Sequence, residues 1–185
     1  MDKLLVLTDL HLRAEGKTII GLDPVARCRA ALEAGLTAHG DARALILMGD
    51  LTHGGHVAEY EILRNLLAEV QIPVLPMLGN HDDRAHFDQV FPEATRTDAG
   101  HLQQVMDLGA HRLITLDSLD AGAKPAHSGW LCPARLDWLD RALATAEGRM
   151  PLVFIQPTSR GAPTCRRLAL ARALRRNSVS MGILK

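Results

Sequence analysis

Three apolar runs in the first half of the chain each end in a short polar motif, and this repetition narrows the folds open to it. Residues 4–10 run into Asp9-Leu10-His11. Residues 44–48 run into Gly49-Asp50, and residues 72–78 into Gly79-Asn80-His81-Asp82. Continuous apolar runs of this length read as strands buried on both faces. Between the first two, Asp23-Pro24 reads as an N-cap followed by proline at the first helical position, opening a helix over 25–38. Between the second and third, 57–70 reads as a helix with Tyr60, Leu63, Leu66 and Leu67 on one face. Pro73 and Pro76 predict short or irregular pairing for the third strand. Strand-helix alternation implies parallel pairing with right-handed crossovers. Ligands in such sheets gather at the carboxyl ends of the strands, where all three motifs fall.

The pattern then changes. Runs 101–108 and 112–116, joined by Gly109-Ala110, read as an antiparallel hairpin. Residues 133–146 read as an amphipathic helix with Leu136, Leu139 and Leu143 in register, and 151–155 as a further buried strand. Residues 164–176 read as a basic helix. A length of 185 residues accommodates one well-buried domain, and two would be tight. The apolar N-terminal run is too short for a signal peptide, and no run reaches a membrane span. Cys28, Cys132 and Cys165 are odd in number and form no CxxC pair, which predicts a reduced, cytoplasmic setting.

The motifs supply metal-ligand chemistry. Alternate residues of a strand leave it on the same side, so Asp9 and His11 are expected to meet one ion. Asp50 has two carboxylate oxygens and is able to bridge two ions. Asn80 offers a neutral carbonyl oxygen, and His81 is placed to point at a substrate phosphate. Mixed oxygen and nitrogen donors suit Mn, Fe, Zn or Co, and two such ions about 3.5–4 Å apart clamp a phosphoryl group for in-line attack. Gly49 and Gly79 are expected to permit the sharp turns that aim these ligands. Helix capping explains each of Asp9, Asp50 and Asn80 singly. It does not explain the same placement after three successive strands, with a histidine beside two of them.

The order DxH, GD, GNHD resembles the calcineurin-like metallophosphoesterases. Gly79-Asn80-His81-Asp82-Asp83-Arg84 is similar to the string found in bacterial class III cyclic-nucleotide phosphodiesterases and glycerophosphodiesterases. Leu113-Ile114-Thr115-Leu116-Asp117-Ser118 and Ser128-Gly129-Trp130-Leu131, leading to Leu136-Asp137-Trp138-Leu139, resemble the same subgroup. The resemblance implies a four-layer α/β/β/α sandwich and a two-metal phosphodiesterase acting on a cyclic nucleotide or another small phosphodiester through a metal-bound hydroxide. It implies Asp9 and His11 on the first ion, Asp50 bridging, Asn80 on the second, and His81 near the phosphate. Nuclease and protein-phosphatase branches of the superfamily are the alternative enzymes, and a non-catalytic metal-binding fragment is the alternative from another class. His39, His53, His56, His86, His101, His111 and His127 match no family ligand and are expected on the surface or in loops, with His53 and His56 the nearest to the pocket. Asp83 and Arg84 are expected to form a solvated pair.

The resemblance covers residues 3 to about 155, giving a domain over 1–155 and an atypical tail over 156–185. The family places a histidine after its next strand, where this chain has Gln156-Pro157-Thr158, and a Gly-His-x-His segment beyond. No histidine follows His127. By the family pattern one ion keeps three of its four protein ligands, counting the bridge, and the other keeps two, so one well-held ion is expected. From Gly148 onward there is no Asp or Glu against seven Arg and one Lys, which leaves −8 on the first 147 residues of a chain with zero net charge. The tail is therefore expected to be a frame-shifted or replaced segment on a sandwich incomplete at its C-terminus, and not a nucleic-acid site. The coding DNA tests this: no His-containing continuation in a shifted frame near codon 156 would end the idea. Missing strands predict open sheet edges and exposed apolar faces, and with them weak stability, aggregation, or rescue by homo-oligomerisation.

Overall fold

The computed structural model describes residues 2–122 and 129–156. The elements run β1 (Leu4–Leu7), α1 (Pro24–Ala38), β2 (Ala44–Met48), α2 (Val57–Leu67), β3 (Val74–Met77), α3 (Arg84–Val90), β4 (Gln104–Leu108), β5 (His111–Leu116), α4 (Pro133–Ala144) and β6 (Met150–Ile155). The expected basic helix over 164–176 lies outside the described residues.

Two three-stranded sheets result. In the first, ordered β1-β2-β3, all pairing is parallel. In the second, ordered β4-β5-β6, the β4–β5 hairpin is antiparallel and β6 is parallel to β5. Strand alternation assigns each face. Ala44 and Ile46 of β2, with Leu75 and Met77 of β3, pack against Leu113 of β5, with Leu152 and Phe154 of β6 alongside. The intervening residues Leu45 and Leu47 pack under Cys28 and Leu32 of α1 and Tyr60, Leu63 and Leu66 of α2. On the far side, Ile114 and Leu116 pack beneath Leu139, Ala142 and Leu143 of α4. The layers are thus α/β/β/α, as expected.

Local chemistry accounts for the boundaries. Asp23 caps α1, its side chain accepting from the Val25 and Ala26 N–H groups at 2.8 and 3.2 Å, with Pro24 at the first turn. Pro76 sits mid-strand in β3, at the edge of the described sheet, where no N–H is needed on the outer side. β1 is shorter than expected and is not buried on both faces. It forms the other edge of the described sheet, and Val6 is exposed.

α3 was not legible as a helix, and Asp83 and Arg84 do not form a solvated pair: Asp83 is exposed but Arg84 turns inward to another partner. Asp83 caps α3 by accepting from the His86 N–H at 2.9 Å. Arg84 instead forks onto Asp117, with Nε to Oδ2 at 3.0 Å and the terminal nitrogen to Oδ1 at 2.9 Å. The Asp117 side chain is fully buried and also accepts from the Leu102 and Leu119 N–H groups. This carboxylate therefore ties α3 to the end of β5, a role its charged neighbour far away in sequence makes possible.

Candidate metal and phosphate site

The three motifs meet at the carboxyl ends of β1, β2 and β3, but by a different route from strand alternation. Asp9, His11 and Asp50 all lie in the left-handed region, at φ 54°, 45° and 48°. For residues with a Cβ this conformation is strained and persists only where the surroundings enforce it. Backbone bonds do so here. The His11 N–H donates to the Asp50 carbonyl at 2.9 Å, Leu12 N–H to Leu51 at 3.0 Å, and His53 N–H to Leu12 at 2.9 Å. The loops after β1 and β2 are thereby zipped side by side, and the turns aim their side chains to one point.

The two glycines serve differently from one another. Gly49, at φ +79°, makes the turn into Asp50. Gly79 has an ordinary φ, and its need is space. A Cβ there would overlap the Asp50 N and Oδ1 and stand 2.9 Å from its Cγ. Gly79→Ala is therefore expected to displace Asp50 and to cost about 2–4 kcal/mol. A drop in the denaturation midpoint accompanied by weaker divalent-metal binding checks this; wild-type values for both would refute it.

One donor group comprises Asp9, His11 and Asp50, whose ligand atoms lie within 4.8 Å of one another. His11 Nε2 is 3.9 Å from Asp9 Oδ1 and 3.8 Å from Asp50 Oδ2. These separations exceed a hydrogen bond. They suit donors arranged around one ion with bonds of about 2.0–2.2 Å. The Asp50 side chain is only 6% exposed, and its other oxygen accepts from the His81 N–H at 3.0 Å. That bond fixes the carboxylate and positions the third loop, bringing Asn80 to the same edge.

A second donor group comprises His11, His53 and His81, again within 4.8 Å of one another. His53 stacks on His81 with ring centroids 5.2 Å apart, and His11 stands edge-on to both. The His81 Nδ1 lies 3.0 Å from the His53 carbonyl oxygen. With Nδ1–H donating there, Nε2 carries the lone pair of the neutral ring. Burial, and then the charges of Arg13, His81 and His11, hold the His53 imidazole below its ordinary pKa. His11 Nδ1 and His53 Nδ1 are buried and have no hydrogen-bond partner among the described residues. Buried imidazole nitrogens without a hydrogen-bond partner, on rings that face one another, fit a site that holds cations.

His53 thus lines the site and does not stand apart from it. The signal was its position, three residues after Asp50 on a loop pinned to the DxH loop; nothing in its own residue type distinguished it. His56 does not line the site. It opens α2, where the Glu59 carboxylate accepts from the His56 N–H at 3.4 Å and the Gly54 N–H at 2.9 Å. Asp82, given no role from sequence, knits the loops together. Its carboxylate accepts from the N–H groups of Leu51, Thr52 and Gly79, and from the Thr52 and Tyr60 hydroxyls.

Gln156 stands where the family resemblance called for a histidine. Its side chain packs against Gly49, the residue is buried, and its Oε1 finds no partner among the described residues. Its carbonyl oxygen accepts from the Ser118 hydroxyl at 3.1 Å.

A family model of calcineurin-like phosphoesterases matches residues 2–168. A probable cyclic nucleotide phosphodiesterase of Rhodopseudomonas palustris is 42% identical over 154 residues, 83% of this chain and 56% of the relative. A 3',5'-cyclic adenosine monophosphate phosphodiesterase of Pseudomonas aeruginosa is 32% identical over 81% of this chain and 53% of its own length. A glycerophosphodiester phosphodiesterase of Enterobacter lignolyticus is 29% identical, covering 80% and 54%. The chain spans about half the length of these curated relatives. Among solved structures, a purple acid phosphatase from yellow lupin (Lupinus luteus) seeds superposes with a TM-score of 0.61 at 12% identity, covering 97% of this chain and 36% of that one. That likeness concerns the fold.

Proposed function

Because the chain belongs to the calcineurin-like phosphoesterase family, we propose that it hydrolyses small phosphodiesters in a metal-dependent reaction, with 3',5'-cyclic nucleotides as the first substrate class. The convergence of Asp9, His11 and Asp50 on one point carries this reading. The names of the relatives support the choice of substrate class.

The donor set fits Mn, Fe, Zn or Co. Asp9 and His11 would hold one ion with Asp50, and Asp50 and Asn80 would offer oxygens to a second. When bound, a divalent ion supplies Lewis acidity toward the phosphoryl oxygens and lowers the pKa of a water. His81 would sit beside the phosphate of a bound substrate. Its Nδ1–H on the His53 carbonyl orients the ring, and once protonated it offers the second N–H to a phosphoryl oxygen without losing that bond. The His81 N–H on Asp50 holds that carboxylate in the orientation in which it would offer its other oxygen to an ion. Cys28 and Cys132 are unbridged, which suits the cytoplasm. No helix among the described residues is long and apolar enough to cross a membrane.

A second reading, a metal-holding fragment without turnover, is favoured by one observation: Gln156 occupies the place of a family histidine, and an amide oxygen binds transition metals more weakly than imidazole. Purified chain with bis-(p-nitrophenyl) phosphate and Mn separates the two. The phosphodiesterase reading expects turnover that chelation removes. Folded protein that is silent with Mn, Zn and Co alike would establish the fragment instead.

A further inference from the structure

The three-histidine group is not accounted for by the family ligand set, since His53 matches none of its positions. We propose that His11, His53 and His81 form a three-imidazole site for one zinc-class ion, an alternative to the carboxylate group of Asp9 and Asp50 with which it shares His11. The site stands on geometry alone, whether or not the chain turns over phosphodiesters.

The spacing allows it. Three nitrogens bound at about 2.0–2.1 Å around a tetrahedral ion stand about 3.4 Å apart. The donor atoms here already lie within 4.8 Å of one another, so modest side-chain rotations close the set. The backbone is already fixed for this. The His53 N–H is tied to Leu12 beside His11, and the His11 N–H to Asp50. His81 is held twice, by its own N–H on Asp50 and by its ring on the His53 carbonyl. A ligating histidine characteristically donates its other ring N–H to a backbone carbonyl, which is the arrangement His81 adopts with His53. The buried His53 Nδ1 has no partner among the described residues. Three protein imidazoles leave a fourth tetrahedral position open.

The chemistry separates the two groups. Imidazole favours Zn, Ni and Cu, whereas carboxylate and carbonyl oxygens favour Mn and Mg. Both groups use His11, so a zinc-class ion among the imidazoles draws that ring away from the carboxylates. It also draws His81 away from a bound phosphate. Excess zinc is then expected to suppress Mn-supported turnover.

The test is direct metal binding to the full chain. Zinc affinity is measured by competition with a chromogenic chelator, and Mn affinity by calorimetry, for wild type, His53→Ala and His53→Gln. Losing one of three imidazoles should weaken zinc by about 100-fold, at or beyond the 10–100-fold typical of outer-shell partners. Mn affinity should stay within about twofold, since Asp9 and Asp50 dominate it. Unchanged zinc affinity in folded His53→Ala overturns the proposal. X-ray absorption of the zinc-loaded wild type decides the case without any variant: three imidazoles support it, and one imidazole with oxygen donors refutes it. Absence of bis-(p-nitrophenyl) phosphate turnover with Mn would instead count against the phosphodiesterase reading alone.

Discussion

Asp50→Ala is expected to abolish divalent-metal binding at the carboxylate group and to lower kcat/KM for a phosphodiester by at least about 10³-fold, some 4 kcal/mol of transition-state stabilisation. No other residue of the site combines so many functions. One oxygen of Asp50 faces His11 at 3.8 Å and the other accepts from the His81 N–H at 3.0 Å. Its removal takes a donor from the group it forms with Asp9 and His11 and frees the loop that carries Asn80 and His81. Because the side chain is buried, Ala also strands the His81 N–H, which costs about 1–3 kcal/mol. Asp50→Asn separates the two effects. The amide oxygen is able to keep the His81 bond while the charge facing His11 is lost, so Asn should retain the wild-type melting temperature and still lose metal and turnover. Turnover by Asp50→Asn within about tenfold of wild type would exclude this carboxylate as the hub of the site, since removing even one transition-state donor typically costs about 10²–10³.

The sequence carried the layers and the address of the site, and it carried them for one reason. Apolar periodicity and helix caps are local, so the β1–α1–β2–α2–β3 order, the Asp23 cap and the hairpin at Gly109-Ala110 are legible in the sequence. Ligand types at three strand ends were equally local. What stayed illegible was set by contacts distant in sequence. The left-handed turns at Asp9, His11 and Asp50 exist because two loops pair with each other, and nothing within Asp-x-His announces that pairing. Gly79 looked like a turn residue and proves to be a gap for Asp50, 29 positions away. Arg84 looked solvated beside Asp83 because its true partner, Asp117, lies 33 positions further along the chain. His53 was placed near the pocket but given no ligand role, because it matched no known ligand position and nothing local showed its loop fixed against His11. Residue type named the donors, and only tertiary pairing showed which of them meet.

Asp82→Ala is expected to destabilise the fold by about 3–5 kcal/mol and to weaken metal binding as a consequence, although Asp82 belongs to neither donor group. Its two oxygens divide the loops between them. Oδ2 accepts from the Leu51 and Gly79 N–H groups at 3.1 and 2.9 Å. Oδ1 accepts from the Thr52 N–H and hydroxyl at 3.0 and 3.1 Å, and from the Tyr60 hydroxyl at 3.0 Å. The charge itself is not what stabilises. Burial pushes the Asp82 carboxyl up to about 6, against the lowering effect of these donors, so the protein tolerates the anion more than it gains from it. The loss on substitution comes from the donors left behind. Three backbone N–H groups would be stranded without water, and each is an obligatory donor. Asn is therefore expected to rescue poorly: its NH₂ must replace one oxygen and face N–H or O–H donors whichever way it turns. Tyr60→Phe removes one donor to Asp82 and the acceptor for the Asp83 N–H at 2.8 Å, and should cost less, about 1–2 kcal/mol. Urea denaturation orders the three variants, with Ala and Asn well below Phe. Because Leu51 adjoins Asp50 and Gly79 adjoins Asn80, metal affinity should fall in the same order. An Asp82→Asn protein as stable as wild type would mean that the loops are held by the zipped backbone of residues 9–12 and 49–53 and not by this carboxylate.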